Sequence, residues 1–150
     1  MCSRAGRRRD DMFDIYTTLF GHFMAYGIRD SDAKAELVAR IKELVATVSP
    51  RGKFPGPNPC SIERRDFDKF RDPTHVYFCE KTDGLRALLA CLTFRGEKVA
   101  VLVARSWEPY LAPLAKLPKV LFQGSVLDGE LVRDAAGNWS WMCFDAVYLA

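Results

Sequence analysis

From residue 75 onward the chain breaks into short apolar runs rich in Val, Tyr, Phe, Leu and Trp, separated by Gly, Asp and Asn. Runs of that length and composition read as strands. They are predicted near 75–80, 85–94, 98–104, 126–133 and 139–148. RGEK (Arg95–Lys98) and DAAGN (Asp134–Asn138) fall where hairpin turns are needed. Strands joined by tight turns pair antiparallel. Ahead of them, SDAKAELVARIKELVAT (31–47) spaces Leu37, Val38, Ile41, Leu44 and Val45, with Val48 just beyond, as one helical stripe. Asp30 or Ser31 is its N-cap. The fold class that follows is α+β, a mostly antiparallel sheet with a preceding amphipathic helix.

Between helix and strands lies SPRGKFPGPNPCSIERRDF, where Pro50, Pro55, Pro57 and Pro59 alternate with Gly52 and Gly56 and exclude regular structure. It reads either as an interdomain linker or as a loop pinned to a core by Phe54 and Ile62. With 150 residues the chain is long enough for one core. No run of about 18 apolar residues occurs, and the apolar stretch after Met12 is broken by Thr17, Thr18, Gly21 and His22. Neither a membrane span nor a secretory signal is expected.

The net charge of +3 belongs to the N-terminus: Arg4, Arg7, Arg8 and Arg9 precede the first acidic residue. The other 18 basic residues meet 19 acidic ones, so the rest of the chain is no broad phosphate-binding surface. Cys2, Cys60, Cys79, Cys91 and Cys143 are odd in number and lack CxxC spacing. Disulfides and structural zinc are not expected, and an intracellular, reducing compartment is. His22 and His75 read as structural residues.

Three short stretches carry chemistry. In CEKTDGLRALLA, Lys81 ends an apolar run, Asp83-Gly84 turns the chain, and Arg86 opens the next strand. A lysine there is either an ordinary hairpin charge or a nucleophile, its amine made neutral by neighbouring cations such as Arg86 and Arg105 or by a metal. In VLFQGSVLDGELVRD, alternation puts Glu130 on the opposite face from Gly129 and Leu131. It faces water, or else meets Lys81, a ribose hydroxyl or a hydrated metal ion. In WMCFDAVYL, Phe144 is either core or a platform for a stacked base.

The order KxDGxR, then DGE with its glutamate 49 residues after the lysine, then FD a further 14 residues on resembles motifs I, III and IIIa of the covalent nucleotidyltransferases, which comprise ATP-dependent DNA ligases, RNA ligases and mRNA capping enzymes. EKTDGLR (Glu80–Arg86) and FPGPNPCSIERRDF (Phe54–Phe67) are similar to the guanylyltransferase branch, with Cys60 in place of the usual valine of FPG-x-x-P-V-S-I. PKVLFQGSVLDGELV (Pro118–Val132) resembles the compact capping enzymes of large DNA viruses. The resemblance makes the Pro-rich segment part of a catalytic domain over 31–150, partial and lacking the C-terminal OB-fold, and leaves 1–30 as a basic segment without assignment.

What the resemblance implies is mRNA guanylyl transfer. Lys81 attacks the α-phosphorus of GTP, expels pyrophosphate and holds GMP as a phosphoramidate, which passes to the 5′-diphosphate end of RNA. Arg86 and Glu130 contact the ribose, Arg105 the ribose and phosphates, and Phe144 the guanine, with Glu80 and Thr82, beside the nucleophile, also among the GTP-binding residues. A divalent metal, Mg or Mn, assists, with ligands left unassigned apart from a possible contribution of Glu130. The family's later carboxylate motif, its KxK strand and its OB-fold lid do not appear before Ala150. A second chain supplying them is therefore an implied partner, and little turnover is expected from these residues alone. Two alternatives stand: an inactive remnant or GTP- and partner-binding module of the same fold, and an ATP-dependent polynucleotide ligase.

Overall fold

The computed structural model describes residues 13–56, 61–71, 74, 82–112 and 117–150. These residues form β1 (Ile15–Phe20), β2 (Phe23–Ile28), α1 (Ser31–Leu44), β3 (Leu85–Phe94), β4 (Glu97–Val103), β5 (Pro109–Leu111), β6 (Ser125–Arg133) and β7 (Trp139–Leu149). The strands make one sheet in the order β1-β2-β5-β4-β3-β6-β7. Every neighbouring pair is antiparallel. The α+β, mostly antiparallel reading therefore holds. Strands expected at 85–94, 98–104, 126–133 and 139–148 are β3, β4, β6 and β7, while the one near 75–80 lies outside the described residues.

Both expected hairpins form. Phe94 pairs with Glu97, and Arg95 and Gly96 between them have φ of 48° and 87°, the two left-handed residues of a type I′ turn. The DAAGN turn closes through the Asp134 N–H donating to the Asn138 carbonyl (2.9 Å) and the Gly137 N–H donating to the Asp134 carbonyl (3.0 Å).

Alternation along β3 sends Leu88, Ala90, Leu92 and Phe94 to one face of the sheet and Ala87, Leu89 and Cys91 to the other. Both faces are apolar because both are covered. Helix α1 covers the first with Ala33, Leu37 and Ile41, followed by Val45 just past its end, an i, i+4 stripe. Asp30 is the N-cap, its carboxylate accepting from the N–H groups of Asp32 (2.9 Å) and Ala33 (3.1 Å). Lys34 donates to Glu108 (2.7 Å) and ties the helix to the approach to β5.

Three expectations need correction. The helix ends at Leu44, so Val48 is not part of its stripe and is 54% exposed. Ile62 is no anchor: it is 64% exposed ahead of a charged 3₁₀ segment, Arg64–Phe70, that buries none of its residues. Residues 15–28, for which the sequence indicated no element, form a hairpin that joins the sheet where β2 pairs with β5. No described helix is long and apolar enough to cross a membrane.

Candidate active site

Strands β3 and β6 run side by side with Arg86 opposite Glu130 and Leu88 opposite Asp128. Side chains two apart on a strand share a face, so Arg86, Asp128 and Glu130 project on the same side as Leu88 and α1. Arg86 donates from Nε to Asp128 Oδ1 (3.1 Å) and from Nη2 to Oδ2 (2.6 Å). The Asp128 side chain is only 1% exposed, and that of Arg86 19%. A carboxylate removed this far from water needs a fixed cation, and the two-point geometry supplies it. Hydrogen bonding to the Asp128 carboxylate raises the pKa of Arg86 against the opposing effect of burial. Asp128 leaves Arg86 Nη1 free of its own contacts, as a donor for a ligand.

The Thr82 hydroxyl donates to the Glu130 carboxylate. Glycine 84 permits this closeness: a Cβ there would strike the Leu131 carbonyl and lie 2.7 Å from Glu130 Cγ. Glycine 56 does the same for the ion pair, since its Cβ would sit 2.6 Å from Asp128 Oδ2 and 2.7 Å from Arg86 Nη2. The Phe54 ring faces the same guanidinium, with Arg86 Cζ 6.0 Å from its centroid. Two residues of the Pro-rich segment, Phe54 and Gly56, thus lie against the Arg86–Asp128 pair.

Thr82, Arg86 and Glu130 are brought together. Lys81 and Glu80 lie outside the described residues, Thr82 being the first described residue after the lysine. Arg105 is exposed in the turn after β4. It lies two residues past Val103, the partner of Leu88, and so leaves the β3–β4 ladder at the same end as Arg86. Phe144 is 49% exposed. It occupies a bulge: Asp128 pairs with Asp145 and Gly129 with Cys143, leaving Phe144 as the extra residue. Such a bulge re-aims a side chain relative to its strand.

Asp128 was not among the residues singled out from the sequence, although the signal was present. It lies two before Glu130 and hence on the same face. The described residues contain no cluster of three His, Cys, Asp or Glu side chains suited to a metal. Both Asp128 oxygens accept from Arg86, and Glu130 Oε2 accepts from Thr82. The remaining Glu130 oxygen is a hard acceptor of the kind that suits a largely hydrated divalent ion.

Residues 25–150 match the family described as mRNA capping enzyme, catalytic domain. The chain belongs to that family. It is 30% identical over 112 residues to the mRNA-capping enzyme subunit alpha of Neurospora crassa, covering 68% of this chain and 28% of that protein. The subunit alpha of Saccharomyces cerevisiae is 29% identical over 118 residues, covering 70% and 26%. That of Eremothecium gossypii is 31% identical over 120 residues, covering 71% and 26%. The chain therefore spans about a quarter of the length of these relatives.

Proposed function

We propose that this chain carries groups of an mRNA guanylyltransferase site, in which Lys81 is the nucleophile and Thr82, Arg86 and Glu130 hold the ribose of GTP. The observation that carries the reading is the juxtaposition, on β3, β6 and the residues leading into β3, of the Arg86–Asp128 and Thr82–Glu130 pairs in a chain matching the capping-enzyme catalytic domain.

The neutral Lys81 amine attacks the α-phosphorus. The bond from that phosphorus to the bridging oxygen breaks, pyrophosphate leaves, and the nitrogen gives up a proton as the phosphoramidate forms. An oxygen of the 5′-diphosphate of RNA then attacks the same phosphorus. The P–N bond breaks and the lysine nitrogen regains its proton. A divalent ion, Mg or Mn, supplies charge neutralisation on the triphosphate when bound.

The protein's own part is orientation. Arg86, fixed by Asp128, offers the Nη1 that Asp128 does not engage to a ribose hydroxyl, and Glu130, fixed by Thr82, offers an acceptor beside it. Arg105 projects from the neighbouring turn toward phosphate, and Phe144 stacks on guanine from its bulge. Positioned donors and cations contribute most where charge builds on phosphate oxygens.

Incubation with GTP labelled at the α-phosphate and a divalent metal tests the reading, with the chain alone and with a downstream capping-enzyme segment supplied in trans. Acid-stable label on this chain, lost in Lys81→Ala, is the expected result. No label in either arm would leave a remnant or binding module, and label from ATP in place of GTP would make the chain a ligase.

A further inference from the structure

Behind Arg86 lies a stack of side chains to which the transfer chemistry assigns no part. Lys42, on α1, places its Nζ 4.8 Å from the centroid of the Trp107 ring. Trp107 meets Phe54 edge-on, with centroids 6.4 Å apart and planes at 60°. Phe54 in turn faces Arg86. Three separate parts of the chain, the helix, the Pro-rich segment and the turn before β5, are joined in one line that ends on the guanidinium.

The middle member of that line has an unusual backbone. Trp107 has φ of 65°, a left-handed conformation that a bulky aromatic side chain rarely adopts. The turn around it is over-determined. The Trp107 N–H donates to the Ala104 carbonyl (2.9 Å), and the Ala104 N–H donates to the Glu108 carbonyl (3.1 Å). The Glu108 side chain is held by Lys34 (2.7 Å). A glycine would take this φ without strain, yet the position carries an aromatic residue whose ring lies against both Lys42 and Phe54. Strain of this kind persists where surrounding contacts enforce it and gathers near functional sites.

We propose that Trp107 is a positioning residue for the nucleotide: it holds Phe54 against the Arg86 guanidinium and so fixes the direction of the Nη1 that Asp128 leaves unengaged. The kinetic consequence rests on the guanylyl-transfer reading; the geometric one does not. Because Arg86 is assigned to the ribose in ground state and transition state alike, loss of its orientation raises KM more than it lowers kcat.

The test uses the full 150-residue chain carrying Trp107→Leu, Trp107→Phe or Trp107→Gly, with two readouts. The first is the Arg86 Nε–Hε resonance, assigned by its loss in Arg86→Lys. Trp107→Leu should move it in the same direction as Phe54→Leu, although Trp107 does not itself touch Arg86, and Trp107→Phe should restore most of the shift. The second is label formation from GTP, where KM should rise about 3- to 10-fold in Trp107→Leu, the range of a cation–π contact. Maximal rate should stay within about twofold, and Trp107→Phe should recover KM. Trp107→Gly removes the stack while relieving the backbone, so it carries the test if Trp107→Leu does not fold. An Arg86 resonance unmoved in a folded Leu or Gly variant, or an unchanged KM beside a lowered melting temperature, overturns the proposal. Absence of label in the unmutated chain would sink the guanylyl-transfer reading instead, and the resonance alone would then decide the role of Trp107.

Discussion

Arg86 and Asp128 face each other across β3 and β6 as a two-point ion pair whose acidic member is almost completely buried. Breaking such a pair from one side costs about 3–5 kcal/mol, because the remaining charge is stranded, whereas replacing both members with apolar groups is often neutral. Asp128→Asn should therefore lower stability by about 3 kcal/mol in urea denaturation. Arg86→Met combined with Asp128→Leu should regain most of it. Neither protein should take label from GTP. A double variant as unstable as Asp128→Asn alone would show that the pair is not isolated from its surroundings.

Gly56 lies against this pair without a left-handed φ of its own, so its role is closeness alone. Gly56→Ala should push Asp128 and Arg86 aside, costing about 1–3 kcal/mol as an overpacked contact does, and raise KM for GTP. Gly52 offers the contrasting case, with φ +64° and nothing within 4 Å of its Cβ position. Gly52→Ala should lower the melting point through backbone strain, roughly 1 kcal/mol, and leave KM where it was.

The elements legible in the sequence were those whose pattern repeats. β3, β4, β6 and β7 showed apolar runs between turn residues, and α1 showed its i, i+4 stripe. The β1–β2 hairpin escaped because β1 is an edge strand with half-exposed positions such as Leu19, 58% exposed, and carries no clean alternation. β5 escaped because Pro109–Leu111 is too short to show a period. In the site, Arg86 and Glu130 could be found from motif and alternation, but that Glu130 is held by Thr82 and Arg86 by Asp128 is a matter of register. Register is fixed by turns and bulges on both flanking strands.

Cys91 is fully buried on β3, and loss of hydration pushes its thiol up to about 11 from an ordinary value near 9. The raised value means that the folded chain holds the proton more tightly than the unfolded one. This contribution is intact below about pH 9 and is lost as pH rises toward 11. Stability should fall across that window by about 2–3 kcal/mol, at 1.36 kcal/mol per unit, and Cys91→Ala should flatten the fall. Iodoacetamide at pH 8 followed by peptide mass mapping should find Cys91 unmodified in the folded chain and modified in urea. Early alkylation of Cys91 without denaturant would contradict its placement.

Phe144 and Gly129 separate stacking from strand geometry. Phe144 is half-exposed at its bulge, so Phe144→Ala should change stability by no more than about 0.5 kcal/mol, as surface substitutions do. Losing a stacked base should nevertheless weaken GTP binding by about 1–3 kcal/mol. Gly129 is buried on β6, paired with Cys143 of the neighbouring β7. A Cβ there would strike the Met142 carbonyl and come within 2.5 Å of Trp141 Cζ2. Gly129→Ala should therefore part the two strands, lowering the melting temperature and GTP binding together. Calorimetric unfolding beside GTP titration distinguishes the two patterns. If Phe144→Ala melted as early as Gly129→Ala while binding GTP normally, Phe144 would be a packing residue and not the base platform.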